Sequence, residues 1–142
     1  MHELLLECLD RYLELTESTL IAPLHDPLVP GLEACARFFE DLSALKSTDP
    51  GRHGCLMINS ATQLGSGDPE VAHRFHRYRV ALNTGFCAAL TRARTAGASA
   101  PKGAEDLLLA VALAINLEAR ASNPSGVSRM SQSAGSIVAT WG

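Results

Sequence analysis

His73 and His76 stand three apart, so on a helix they share one face. With Glu70 one turn earlier they form the nearest thing in this sequence to a metal-ligand set, of the kind that holds zinc. No fourth ligand accompanies them, and Arg74 and Arg77 lie beside them, so a solvated helix face is the competing reading. Cys55 and His53 flank Gly54 at a helix start, a nucleophile beside a base. No third group orients that histidine, as covalent catalysis needs. A thiol near a helix N-terminus has a lowered pKa, which keeps a redox or electrophile sensor using Cys55 as an alternative. Gly65-Ser66-Gly67 lacks the lysine and the preceding strand of a phosphate-cradling loop. The chain therefore reads as a non-enzyme, with no catalytic residues, no metal and no cofactor.

Polar side chains inside apolar helices carry more information. Asn59, Ser60 and Asn116 each need a partner, whether backbone, water or ligand. Phe39, Met57, Ser60, Ala61, Leu64, Phe75, Leu82, Phe86 and Asn116 are the candidate lining of an apolar cavity with a few polar handles. The competing reading of Phe39, Phe75, Leu82 and Phe86 is plain core.

Composition narrows the classes. At 142 residues, 46% hydrophobic and 19% charged, the chain suits one domain with a filled core. A net charge of −3 and a pI near 5.9 disfavour a module that neutralises phosphates. Arg74, Arg77 and Arg79 lie together, as do Arg92 and Arg94, and neither group forms a run. Cys8, Cys35, Cys55 and Cys87 have no metal-knuckle or redox spacing and read as small buried hydrophobes in a reducing compartment. Met1-His2-Glu3 has no basic leader, and the apolar segment Leu107 to Leu117 is too short for a membrane span. A soluble, cytoplasmic protein without membrane contact is expected.

The elements that must position these residues are helices. The first is expected from His2 to Leu20, with Pro23, Pro27 and Pro30 breaking the segment beyond it. The second runs from Pro30 to Leu45, on a stripe of Leu32, Cys35, Phe38, Phe39, Leu42 and Leu45. Ser47 to Gly54 is a loop, and the third helix runs from Cys55 to Leu64, ended by Gly65 and Gly67. The fourth and longest spans Asp68 to Ala96. Asp68 suits its N-cap, Pro69 its first position and Gly97 its stop. Gly85 in its middle points to close packing or to room for something small. After a linker, the fifth runs from Ala104 to Ala121 and is apolar all round. Asn123-Pro124 ends it, and Ser125 is the expected cap of a sixth reaching Thr140.

These elements make an all-α, antiparallel bundle of about six helices, as a single domain over residues 1–142. The last two helices carry more apolar surface than one small bundle covers, which points to a two-fold homodimer. Leu108, Ala112, Ile115, Ala119, Val127, Met130, Ile137 and Trp141 are the candidate interface.

The block Gly54 to Ala61, with Asp68-Pro69-Glu70-Val71 after it, resembles the regulatory domain of the tetracycline-repressor-like (TetR) family of transcription regulators. His2 to Tyr12 looks like the helix that leaves that family's DNA-binding head, and Leu32 to Phe39 like the helix after it. The resemblance implies a domain that binds a small, usually apolar ligand among its helices. It also implies dimerisation through a four-helix bundle built from the last two helices of each subunit. Ligand binding shifts the first helix like a pendulum and moves the two heads off successive major grooves. Since the sequence enters the first helix at once, the head is expected to be absent and this chain alone is not expected to bind DNA. A second possibility is a headless interaction module that pairs with a full-length relative.

Overall fold

A computed structural model of the chain describes residues 1–49 and 51–142; Pro50, within the expected loop, lies outside the described residues. The protein is all-α. Among the described residues six α-helices occur in order: α1 (His2–Thr16), α2 (Gly31–Lys46), α3 (Leu56–Leu64), α4 (Pro69–Thr95), α5 (Ala104–Arg120) and α6 (Pro124–Ala139). Among the described residues no helix is long and apolar enough to cross a membrane.

The first helical stretch outruns its expected end. After α1 the chain widens into a π-helical turn over Glu17–Ile21 and tightens into a 3₁₀ turn over Ala22–His25. Pro23 does not break the stretch, because it stands at the start of the 3₁₀ turn, where its missing N–H leaves no bond unmade. Ile21 and Leu24 of this segment are buried. They account for Gly85: a Cβ there would lie 2.9 Å from Leu24 Cδ1 and 3.2 Å from Ile21 Cγ2. The mid-helix glycine thus serves close packing.

The start of α2 packs still closer. A Cβ on Gly31 would stand 1.8 Å from the Ala89 carbonyl oxygen, so α2 meets α4 backbone to backbone. From there Cys35, Phe38, Phe39 and Leu42 point into the core and meet Leu82, Phe86 and Leu90 of α4. Leu9 and Leu13 close this core from α1, and Leu108 and Ile115 from α5.

The ends of α4 obey local chemistry. The Asp68 carboxylate accepts from the Glu70 and Val71 N–H groups at 3.1 and 3.3 Å, and Pro69 fills the first position. At the other end Gly97 has φ +98, and the Ala98 N–H returns to the Ala93 carbonyl at 2.9 Å. The cap of α6 is Asn123 rather than Ser125. Pro124 takes the first helical position, which leaves Asn123 Oδ1 to accept from the Gly126 N–H at 3.2 Å.

Helix α6 packs on α2 and α5, whereas α1 packs on α3 and α4. Of the cysteines, Cys35 and Cys55 are buried and Cys87 is half-buried. Cys8 is exposed, because it lies just beside the α1 stripe that turns Leu9, Leu13 and Thr16 inward.

Candidate functional site

Phe39, Met57, Leu82 and Phe86 are shut inside the core. The Phe39 and Phe86 rings stack at 5.9 Å between centroids, and Phe38 meets both edge-on at 5.2 and 4.9 Å. These rings fill the space between α2 and α4 themselves. Ser60 and Asn116 are also buried. Asn116 Nδ2 donates to the Ala112 carbonyl at 2.9 Å, while its Oδ1 finds no partner among the described residues. Ala61 and Phe75 are half-buried and Leu64 is exposed. Phe75 stacks on Tyr78 at 6.4 Å and carries the Arg79 guanidinium over its ring at 5.9 Å. The candidate lining thus divides into a packed core group and an outer group, with one unsatisfied amide oxygen inside.

The remaining sequence candidates separate. Glu70 accepts from Arg74 Nη1 at 3.0 Å, and His73 and His76 are exposed. No cluster of three His, Cys, Asp or Glu side chains gathers among the described residues. His53 is exposed, and its carbonyl accepts from Asn59 Nδ2 at 3.0 Å. Cys55 turns the other way and is only 1% exposed, so its thiol faces no solvent.

What Cys55 does touch was not apparent from spacing. Its Sγ donates to the Tyr78 hydroxyl at 3.7 Å, and the Tyr12 phenol neighbours the same thiol. Burial first, and Cys55 second, push both phenols well above the usual tyrosine range. The group joins α1, the start of α3 and α4 around one sulfur.

Lys46 adjoins it. This lysine is 6% exposed and donates its Nζ to the Gly54 carbonyl at 3.1 Å. Among the described residues no carboxylate lies within ion-pair distance of it. Burial holds its pKa below the usual lysine value, with a smaller opposing effect of Cys55. A signal for its burial did exist. Lys46 lies seven positions after Phe39 and four after Leu42, on the stripe that turns inward.

The candidate interface also divides. Leu108, Ala112, Ile115, Ala119, Val127 and Trp141 pack inside the subunit. Met130 is half-buried and Ile137 is 44% exposed. The outward side of α5 carries a different stripe, in which Leu107 (47% exposed) and Leu117 (50%) flank Ala110, Val111 and Ala114. On α6, Met130 and Ile137 share a side with Gly126, whose Cβ position looks onto the Glu118 carboxylate of α5. The two helices therefore present one partly exposed apolar strip. Comparison of the chain with protein-family models, with curated proteins and with solved structures finds no match.

Proposed function

We propose that this chain is the effector-binding and dimerisation domain of a tetracycline-repressor-like regulator, which senses a small apolar molecule and pairs with a second copy of itself. The observation that carries the reading is the outer strip on α5 and α6. Leu107, Val111, Ala114 and Leu117 on one helix and Met130 and Ile137 on the next give an antiparallel helix pair an apolar face without a cover. Two such pairs related by a two-fold axis make a four-helix bundle.

The other half of the reading rests on α1. It packs on α3 and α4 and not on the dimer-forming pair, so a ligand that parts α3 from α4 moves α1 with them. Entry of that ligand displaces part of the packed group around Met57 and Phe86, and the nine-residue α3 is the shortest helix to move. The family's heads, joined ahead of α1, would be read out through this shift.

Sedimentation equilibrium tests the assembly. A dimer is expected at about 0.1 mM chain, well above the dissociation constant of a standard-size interface. Leu107→Glu with Ile137→Glu should give a folded monomer. A monomeric wild-type chain at that concentration would overturn the proposal. Sensing is tested by thermal shift against apolar compounds, since a ligand of the folded state alone raises the Tm.

A further inference from the structure

Where the end of α2 meets the loop at 52–53 and the α5–α6 turn, the surface opens into a pocket of about 500 Å³. Three basic residues line it, Lys46, Arg52 and His53. Ala119, Pro124 and Val127 supply its apolar wall. Among the described residues that line it there is no carboxylate. Glu118 on the adjoining turn of α5 is engaged by Asn123 Nδ2 at 2.8 Å. Pro124 also places the positive end of α6 at the pocket wall.

Lys46 is the decisive member. An ammonium group has three donors, and among the described residues a single carbonyl, that of Gly54 at 3.1 Å, accepts from it. The residue is 6% exposed, so water reaches little of it. A buried cation with no counter-ion is costly, and an anion entering the pocket removes that cost. Arg52, exposed at the rim, adds a planar fork suited to a carboxylate. One buried cation beside an aliphatic wall matches a single negative charge on an apolar body. A phosphate dianion would shed its water against Ala119 and Val127 for no return.

We propose that this pocket binds a small organic carboxylate, with the anionic end between Lys46 and Arg52 and the apolar body against Ala119 and Val127. The site is separate from the packed group between α2 and α4, and it stands whether or not the chain is a TetR-like sensor.

The test is a titration of the full chain with benzoate, read by amide chemical shifts. Benzylamine and inorganic phosphate serve as the comparison titrants. Benzoate should shift the amides of Arg52, His53 and Ser122 saturably, and benzylamine should leave them unchanged. Lys46→Met and Arg52→Gln should each weaken benzoate by about tenfold, the loss expected for one charge-assisted contact. Arg52 is exposed, so its variant keeps the test sound should Lys46→Met fail to fold. Absence of saturable shifts, equal affinity in Arg52→Gln and the wild type, or phosphate binding as tightly as benzoate would each overturn the proposal.

Discussion

Arg74 grips Asp10 with one edge of its guanidinium, Nε donating to Oδ1 at 2.9 Å and Nη2 to Oδ2 at 3.2 Å. Its third nitrogen, Nη1, holds Glu70 of its own helix at 3.0 Å. The Arg74 side chain is 15% exposed and that of Asp10 42%, so this bidentate pair is shielded on the arginine side only. It ties α1 to α4. Asp10→Ala should lower unfolding stability by about 1 kcal/mol and speed amide exchange in α1 more than in α2. Denaturant melts and hydrogen exchange read both. Unchanged exchange in α1 would mean that apolar contacts alone hold it.

Gly31 and Gly135 should respond to alanine in opposite directions. At Gly31 the new methyl meets the Ala89 carbonyl oxygen, and stability should fall by about 3 kcal/mol from overpacking. At Gly135 nothing lies within 4 Å, and removing a glycine from the interior of α6 should add about 0.5–1 kcal/mol. Urea midpoints for the two variants check the pair of signs.

Lys46 makes stability depend on alkaline pH. Its folded-state pKa lies below that of the unfolded chain. Between the two values the unfolded state holds more protons, so the contribution of this residue to stability rises with pH there. Below both values the full cost of the buried ammonium is present. Wild type should therefore gain on Lys46→Met as the pH rises from neutral towards about 10, the unfolded lysine range. Melts of both proteins across that range would show the stability difference shifting in favour of the wild type, and a constant difference would refute the assignment.

Thiol reactivity should rank the four cysteines by burial. Cys8 is exposed and should react first with a disulfide reagent at neutral pH. Cys87 should react next and slowly, its pKa raised by burial and then by Glu105 and Asp106. Burial pushes Cys35 up to about 12, and Cys55 is 1% exposed, so both should wait for unfolding. Rapid modification of Cys55 in the folded protein would favour the electrophile-sensor alternative over the apolar-ligand reading.

Much of the fold was legible because it is local. Apolar residues three and four apart in α2 and α4 announced which face turns inward. Asp68-Pro69 and Gly97 bounded α4 through chemistry that acts within a turn or two. α6 begins two residues earlier than Ser125 would place it, since Asn123 and Ser125 are both good caps and only the placing of Pro124 decides between them.

Periodicity could not choose a face for α5, which is apolar all round; neighbouring helices chose it, burying Leu108, Ala112 and Ile115 and leaving Leu107 and Leu117 outside. The packed stack of Phe39 on Phe86, the thiol of Cys55 between two phenols, and the grip of Arg74 on Asp10 join residues far apart in the chain. The amino-acid order determined helices, caps and the all-α class, because those depend on contacts within a few residues. Periodicity put Lys46 on the inward stripe, but only tertiary packing decided that it meets no carboxylate within ion-pair distance among the described residues and lines a pocket.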